Sequence, residues 1–492
     1  MRFRVLLFAL LLSPACDQAA EQTLPPDVLL VSLDTLRADR LGCYGYERET
    51  SPVLDALAAE GVRFHEVHAP SGNTKPSHMS LFTGLDPLAH DVRPVRLFAT
   101  VRPALSDKVP TMPELLSRAG YQTASFTDRG GLPQSAGFGR GFDVQHAEWE
   151  ELPRKIAVVK KYLATANPRL PLFLFFHTYE PHAPYLPPRP HRGKFTDPDH
   201  TGGFRQRYAE LSGTPMAEFW LEKGKFLREW PEMESDDVEF LSGLYDEEIS
   251  WTDQNVARLL RVWGKHRKRE NTILIVLSDH GEAFNEHGRL GHQRSMYAEL
   301  MRVPLIMTGP GLPSNLVVHE PVSLTGVLPT LLELLELDLP ETQVDSFLAL
   351  VRRDASPSAP IFSQMGNRGE DLFESVTLDD LRLLRTTLGG VEKLELFDWA
   401  TDGGEEHNLA EERPADVARL VELLDRRKSE ADVLRERFPP GSEGAQTEAE
   451  LREIEGLGYG GPDDEEASPP QRREDPASPS KQAAVPRAKS DD

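Results

Sequence analysis

The stretch that decides the fold reads VLLVSL at residues 28–33, and Asp34 follows it directly. A short run that is apolar at nearly every position is typical of a β-strand buried on both faces of a sheet. Further strands are predicted at residues 121–126, 172–176, 272–277 and 303–307.

Helical patterns lie between these predicted strands. Ser51 is placed to cap a helix that has Pro52 at its first position and ends at Gly61. The sequence TMPE at residues 111–114 forms a capping box before a second helix, and Val238 to Leu260 has a long helical periodicity. This alternation predicts an α/β fold, in which helices sandwich a large, mostly parallel sheet.

Several side chains suited to metal binding follow the predicted strands. In a parallel sheet, ligands bind beyond the carboxyl ends of the strands. Asp34, His177, Asp279 and His280 each lie at such an end, so we expect them to share one edge. Two carboxylates and an imidazole suit a divalent cation such as Zn²⁺. On these residues alone, Asp34 as a helix cap and Asp279-His280 as a surface turn remain an alternative.

The sequence TKPSHMSLFTG at residues 74–84 is the second chemical feature. Pro76 suits the first turn of a helix and Gly84 the position after its end, which places Thr74 at or near the N-cap. Capping alone would explain a threonine there. The N-terminus of a helix also attracts anions, and a cation in contact with the hydroxyl would make Thr74 a nucleophile.

Three histidines lie on or near the predicted loops beyond the strands. His177 and His182 belong to HTYEPHAPY at residues 177–185, and His292 follows GRLG. A single histidine of this kind is more often a structural hydrogen-bonding residue. Three of them are better explained as donors to an anionic substrate or as acids that protonate a leaving group.

The N-terminus resembles an export signal. Residues 1–16 combine a basic start, a short apolar core and small residues before Cys16, which is the pattern of a secretory signal peptide. The boundary is similar to a bacterial lipoprotein cleavage box, in which this cysteine receives a lipid. We therefore expect an exported protein of the bacterial cell envelope or periplasm that contacts the membrane only through a lipid anchor at Cys16. A buried strand or helix is the alternative for this segment.

Composition divides the rest of the chain. A polar linker is predicted at residues 17–26, a catalytic domain at 27–354 and a smaller C-terminal α+β domain at 355–438. Residues 439–492 contain few large apolar side chains and are predicted to be a largely disordered acidic, proline-rich tail.

The overall composition excludes several classes of protein. A net charge of −24 argues against nucleic-acid binding through phosphate neutralisation. Two cysteines are too few for a disulfide scaffold or a thiolate-built metal cluster. No apolar run reaches about 18 residues, so no transmembrane helix is expected. The sequence gives no indication of the oligomeric state.

Several motifs occur in a fixed order between residues 27 and 410, and together they resemble the sulfatase branch of the alkaline phosphatase superfamily. The resemblance implies an alkaline phosphatase-like fold and hydrolysis of sulfate or phosphate esters. The motifs are SLDTLRAD at 32–39, the sequence at 74–84, FFHTYEPHAPY at 175–185, YDEEI at 245–249, SDHGE at 278–282 and RVPLI at 302–306.

The resemblance also implies roles for individual residues. Asp34, Asp279 and His280 match metal ligands, and Thr74 occupies the position of the nucleophile, where it would also touch the metal. His182 and His292 match positions that contact the transferred oxyanion or protonate the leaving group. His78 is predicted to be catalytic because it stands where the family has an arginine that steadies the nucleophile.

The sequence departs from the sulfatases that use formylglycine. Those have Cys or Ser at the position of Thr74, and oxidation of a threonine would give a ketone instead of an aldehyde, so no formylglycine is expected. The paired acidic ligands of the family are reduced to Asp34-Thr35. The family's Lys-Trp-His segment is replaced by TDRG at residues 127–130.

These departures favour a metal-dependent hydrolase with a threonine nucleophile. Three oxygens and one nitrogen form a tetrahedral set that favours one Zn²⁺, with Ca²⁺ or Mn²⁺ as alternatives. The expected partner is a sulfate- or phosphate-ester substrate. Two other interpretations stay open: a transferase that moves a phosphoethanolamine-like group in the cell envelope, and a non-catalytic binding protein with the same fold.

Overall fold

The computed structural model describes residues 24–93, 103–183, 185–200, 205, 235–292, 294–354, 359–366 and 371–442. The predicted signal peptide, the linker up to residue 23 and the tail beyond residue 442 lie outside the described residues.

The α-helices are α1 (Pro52–Glu60), α2 (Thr74–Thr83), α3 (Pro87–His90), α4 (Met112–Arg118), α5 (Leu152–Leu163), α6 (Ser235–Trp263), α7 (Ala298–Met301), α8 (Val327–Leu334), α9 (Leu348–Val351) and α10 (Pro414–Arg437). The strands are β1 (Asp27–Leu33), β2 (Val62–Phe64), β3 (Val67–His68), β4 (Pro103–Ala104), β5 (Gln122–Thr127), β6 (Val144–Ala147), β7 (Leu172–Thr178), β8 (Thr272–Leu277), β9 (Ala283–Phe284), β10 (Leu290–Gly291), β11 (Leu305–Thr308), β12 (Leu316–Val318), β13 (Val322–Ser323), β14 (Ile361–Gly366), β15 (Leu372–Leu378), β16 (Leu381–Leu388), β17 (Val391–Asp398) and β18 (Gly441–Ser442).

The central sheet of the described residues has the strand order β12-β2-β11-β8-β1-β7-β5-β6. Strand β1 lies at its centre and pairs in parallel with β7 on one side and β8 on the other. Strand β11 is antiparallel to both of its neighbours, β2 and β8. The predicted fold class, a large and mostly parallel sheet between helices, is confirmed.

Both faces of β1 are covered, which explains why its sequence is almost continuously apolar. Val28 and Leu30 pack into a core with side chains of α2, α4, α8 and α9. Leu29, Val31 and Leu33 point the other way, into a core with side chains of α1, α5 and α6. Complete burial of a side chain of this size contributes about 1.5–3 kcal/mol, so each core favours the predicted three-layer arrangement.

A second sheet follows in the chain, with the antiparallel order β14-β15-β16-β17. One of its faces packs on Leu420 and Leu424 of α10, and the other on Leu300 and Met301 of α7. This is the smaller C-terminal α+β unit expected from the sequence. The sequence predicts strands at residues 361–362, 381–385 and 394–397 and a helix at residues 415–427 in this unit. The structure adds β15, and α10 continues ten residues further, to Arg437.

The two predicted N-terminal caps have different outcomes. The capping box is confirmed, since the Thr111 N–H donates to Glu114 at 2.9 Å. Ser51 does not cap α1 with its side chain. Asp253 of α6 instead accepts the backbone N–H groups of Val53 and Leu54, because packing places α6 against this helix end. Within the described part of the chain, we find no helix with the length and apolarity needed to cross a bilayer.

Candidate active site

Neighbouring parallel strands bring the sequence-predicted residues to one edge of the sheet. Asp34 follows β1, and Asp279 and His280 follow Ser278 at the end of β8. Helix α2 begins at this edge with Thr74. His177, which was expected just past the end of its strand, lies within β7, where it pairs with Ser32 of β1.

Asp34, Asp279 and His280 form a buried cluster of metal-ligating side chains. Their ligand atoms all lie within 4.8 Å of one another, and each residue is at most 1% exposed. His280 Nε2 lies 3.4 Å from Asp279 Oδ2 and 4.0 Å from Asp34 Oδ1. His280 Nδ1 donates to the Gly281 carbonyl at 3.0 Å, which leaves the lone pair on Nε2 directed toward the cluster.

The donor atoms of this cluster fit a divalent cation. Asp34 Oδ1 and Asp279 Oδ2 are buried and have no hydrogen-bond partner in the described residues. Burial raises the pKa of Asp34 well above its usual range, and the charge of Asp279 raises it further. Burial also opposes ionisation of Asp279, but His280 lowers its pKa. A cation would compensate two buried carboxylates that otherwise repel each other.

Thr74 meets this cluster through its hydroxyl group. It is the first residue of α2, whose last turn is closed by Gly84 at a φ of 69°. Its Oγ1 donates to Asp34 Oδ2 at 3.2 Å and lies 3.3 Å from His280 Nε2. We call Asp34, Thr74, Asp279 and His280 the carboxylate corner.

The turn after Asp34 is strained. Thr35 has a φ of 56°, in the left-handed region that β-branched residues avoid. Two contacts hold it there: the Tyr245 hydroxyl donates to the Thr35 carbonyl at 2.7 Å, and the Thr35 N–H donates to Asp279 Oδ1 at 3.4 Å. The strained backbone therefore links β1 to the cluster at the position where the family resemblance predicts a second acidic ligand.

Two buried histidines support the carboxylate corner from behind. His177 Nε2 donates to Asp34 Oδ2 at 3.0 Å, and burial lowers its pKa to about 4, so the ring is neutral near pH 7. His78 Nδ1 donates to the Thr74 carbonyl at 2.9 Å, and its Nε2 accepts from the Ser32 hydroxyl at 2.9 Å. Burial lowers the pKa of His78 to about 4 as well.

His182 and His292 lie side by side next to this corner. Their ring centroids are 4.8 Å apart, and the His292 ring lies 4.6 Å from that of His280. His292 Nδ1 donates to Glu282 Oε1 at 3.0 Å, while the Tyr185 hydroxyl donates to Glu282 Oε2 at 3.1 Å. We call His182, His292, Glu282 and Tyr185 the histidine corner.

Sequence reasoning missed two residues that shape the site. Glu282 is fully buried and lies two residues after His280 in SDHGE, so its place in that motif was the available signal. Lys155 is also fully buried; its Nζ lies 2.6 Å from Asp128 and donates to the His177 carbonyl at 2.9 Å. Lys155 lies on the apolar stripe of α5, three residues after Leu152 and four before Val159, so its position in the helical periodicity was the available signal.

Comparison with known proteins identifies the class of protein that this fold and site define. Residues 26–337 match the family model Sulfatase, so the chain belongs to the sulfatase family and is a sulfatase-like hydrolase. Sulfatases are metal-dependent, and the buried cluster supplies a plausible set of ligands for the metal.

Individual relatives agree with this membership. The chain is 25% identical over 446 residues to the uncharacterized sulfatase YidJ of Escherichia coli, with 80% of this chain and 84% of the relative covered. It is 24% identical over 443 residues to the Delta 4,5-hexuronate-2-O-sulfatase of Bacteroides thetaiotaomicron, covering 81% and 87%. The crystal structure of the phosphonate monoester hydrolase of Agrobacterium radiobacter superposes with a TM-score of 0.67 at 18% identity, covering 82% and 96%.

Proposed function

We propose that this chain cleaves sulfate or phosphate esters in a metal-dependent reaction, with Thr74 as the nucleophile. The observation that carries the proposal is the position of Thr74 Oγ1, within 3.3 Å of both Asp34 and His280. The similarity to a hexuronate sulfatase and to a phosphonate monoester hydrolase supports esters of sulfur or phosphorus oxyacids as the substrate class.

Asp34, Asp279, His280 and the Thr74 hydroxyl would hold the cation. Their three oxygens and one nitrogen suit Zn²⁺, whereas Ca²⁺ prefers about six to eight oxygens. When bound, the cation supplies positive charge that favours the ionised hydroxyl and attracts the ester oxygens. Mn²⁺ and Ca²⁺ are the other metals to be tested.

The residues of the carboxylate corner prepare the attack. Asp34 Oδ2 accepts the hydrogen bond of the Thr74 hydroxyl and so orients Oγ1 toward the bound ester. The N-terminus of α2 adds positive potential for the group that is transferred. His177 and His78 position Asp34 and Thr74 through the hydrogen bonds described above, and we assign them positioning roles.

The histidine corner completes the reaction. As Thr74 Oγ1 bonds to the sulfur or phosphorus, its proton passes to Asp34 Oδ2, which accepts its hydrogen bond, and the bond to the leaving oxygen breaks. His292 donates a proton to that leaving oxygen. Glu282 holds His292 through Nδ1, which turns Nε2 away from Glu282. His182 donates a hydrogen bond to the transferred group. Water then bonds to the sulfur or phosphorus and gives a proton to His292 as the bond to Thr74 Oγ1 breaks. Thr74 takes its proton back from Asp34, and sulfate or phosphate is released.

Replacement of the nucleophile tests the proposal. Activity of the wild type would be measured on 4-nitrophenyl sulfate, 4-nitrophenyl phosphate, bis-4-nitrophenyl phosphate and 4-nitrophenyl phenylphosphonate, with chelator and with added Zn²⁺, Mn²⁺ or Ca²⁺. Thr74→Ala is expected to lower kcat on the best substrate by roughly 10³-fold or more, because loss of a nucleophile removes the covalent route.

Thr74→Ser is the matched control, since it keeps the hydroxyl and removes only the methyl group. It should retain a substantial part of the activity. Unchanged turnover in Thr74→Ala would contradict the assignment of the nucleophile, and unchanged turnover of the wild type after chelation would contradict metal dependence.

A further inference from the structure

Tyr179 is placed at the same edge as the nucleophile but has no role in the reaction described so far. It follows β7 directly and is 5% exposed. Its ring contacts His177 and His182 edge-on, at centroid distances of 5.0 and 5.3 Å, and stacks on Trp149 at 5.4 Å. The ring thus lies between a residue that positions Asp34 and a residue of the histidine corner.

The backbone of Tyr179 is fixed by charged side chains. Its N–H donates to Asp128 Oδ2 at 3.0 Å, and Asp128 is paired with Lys155 at 2.6 Å. Lys155 also donates to the carbonyl of His177 in the same segment. Asp128 belongs to the sequence TDRG at residues 127–130, so this loop supports the backbone of Tyr179.

Gly131 shows where the Tyr179 hydroxyl lies. A Cβ atom built on Gly131 would be 2.1 Å from Tyr179 Oη and 3.1 Å from Thr74 Cγ2. The Tyr179 hydroxyl and the Thr74 side chain therefore both lie close to this position beside the Gly131 backbone. Any other residue at 131 would collide with the hydroxyl, so the glycine keeps this space open.

We propose that Tyr179 is a further catalytic residue, whose hydroxyl donates a hydrogen bond to an oxygen of the group transferred to Thr74. This inference rests on the proposed function, because it takes Thr74 as the acceptor of that group. A phenol hydroxyl donates a hydrogen bond without carrying a charge, so it can serve as an oxyanion donor. Donors aimed at the charge that develops in the transition state are each worth about 10²–10³ in kcat.

Tyr179→Phe tests the hydroxyl alone, since it keeps the ring and its contacts. We expect kcat on the best 4-nitrophenyl ester to fall roughly 10²-fold, with a Tm close to that of the wild type. The affinity for vanadate, which imitates the five-coordinate transition state, should fall in parallel. Trp149→Phe is the matched control, because it alters the stacking on Tyr179 and leaves the hydroxyl in place; it should have near-wild-type kcat and vanadate affinity.

A double variant tests whether the hydroxyl acts beside Gly131. In Gly131→Ala the new methyl group displaces Tyr179 Oη, so activity should fall at least as far as in Tyr179→Phe. The pair Gly131→Ala with Tyr179→Phe removes the colliding oxygen, so its activity should equal that of Tyr179→Phe alone. A loss of activity in the double variant equal to the product of the losses in the two single variants would overturn the proposal. Wild-type kcat and vanadate affinity in Tyr179→Phe would also overturn it.

The two proposals fail separately. Full activity in Thr74→Ala removes the nucleophile, and with it the group that Tyr179 would contact. Full activity in Tyr179→Phe together with an inactive Thr74→Ala removes only the role of Tyr179 and leaves the proposed function intact.

Discussion

In the carboxylate corner, two buried oxygens, one from Asp34 and one from Asp279, have no hydrogen-bond partner in the part of the chain that the structure describes. In the histidine corner, a few ångströms away, both oxygens of Glu282 accept hydrogen bonds, from His292 and Tyr185. Both corners bury carboxylates, but only the histidine corner provides all the partners itself.

The difference shows what each corner is built for. A buried carboxylate oxygen without a hydrogen-bond partner costs free energy, so a cation held as proposed would stabilise the carboxylate corner. A carboxylate paired on both oxygens fixes the orientation of its neighbours, so the histidine corner orients His292 without such a group. Substitutions in the carboxylate corner should therefore change the effect of metal on Tm and kcat. Substitutions in the histidine corner should change how kcat depends on the leaving group.

The largest effect is expected from Asp34→Asn, which removes one of the two carboxylates of the carboxylate corner. Loss of the charge should lower kcat roughly 10³-fold or more and abolish the rise in Tm that Zn²⁺ gives the wild type. The metal-free variant should nevertheless be at least as stable as the metal-free wild type, because Asp279 no longer faces a second buried carboxylate. Thermal unfolding with chelator and with Zn²⁺ measures both effects.

Glu282→Gln is the control for this experiment. It also removes a buried charge near the cluster, but from the histidine corner, and should preserve the rise in Tm with Zn²⁺. If Asp34→Asn kept that rise as well, the carboxylate corner would not be the metal site.

Glu282→Gln also tests whether the histidine corner helps to protonate the leaving group. Without the carboxylate, His292 is held less firmly and its protonated form is less stabilised, so hydrolysis of an ester with an alkyl alcohol leaving group should slow by about 10–100-fold. Hydrolysis of the 4-nitrophenyl ester should change little, because nitrophenolate leaves without a proton. Measurement of kcat on the two esters separates these effects.

Tyr185→Phe should impair protonation of the leaving group to a smaller extent than Glu282→Gln. It removes one hydrogen bond to Glu282 and leaves the carboxylate, so its loss on the alkyl ester should be smaller than that of Glu282→Gln. Equal losses on both esters in either variant would indicate damage to the structure instead of weakened proton transfer.

The same comparison explains what could be predicted from the sequence. The apolar run before Asp34 and the one before Asp279 predicted buried parallel strands, and parallel strands bring their carboxyl ends together at one edge. The carboxylate corner follows from that geometry, because its residues lie next to strand ends or at the start of a helix. Apolar runs and the signals that end a strand or begin a helix are local in sequence. The residues of the carboxylate corner lie next to such signals.

Partners that arise from packing were not predictable in this way. Asp253 caps α1 from a helix about 200 residues further along the chain, and no local pattern marks it. His177 was expected to face the substrate, whereas it donates to Asp34 from the neighbouring strand. The pairing of Glu282 with Tyr185 depends likewise on which loops meet, and tertiary packing alone decides that.

The smallest effect, a change in stability with pH, is predicted at Glu180. Its carboxyl group is compensated in a third way, different from those of the two corners. Glu180 lies two residues before His182, and its Oε2 has no hydrogen-bond partner in the described residues. Burial, together with the charge of Asp128, raises its pKa from 4.5 to about 7. Trp251 donates a hydrogen bond that partly opposes this rise in pKa, and a proton compensates the carboxyl group more than its neighbours do.

A raised pKa in the folded state sets the sign of the pH dependence. The folded protein holds this proton more tightly than the unfolded chain, so the stability it contributes is complete below pH 4.5 and is lost as pH rises through about 7. Glu180→Gln imitates the protonated form at every pH. Between pH 5 and 8 the wild type should therefore lose about 1–2 kcal/mol more than the variant, which corresponds to a few degrees in Tm.

Thermal unfolding at several pH values, with chelator present, measures this difference. Glu412→Gln is the control, because Glu412 is exposed on the surface and its replacement should leave the pH profile unchanged. A profile of Glu180→Gln parallel to that of the wild type would mean that Glu180 is ionised and compensated by Lys155, which lowers its pKa. In that case Glu180 would resemble Glu282 of the histidine corner, whose carboxylate is paired with neighbouring side chains.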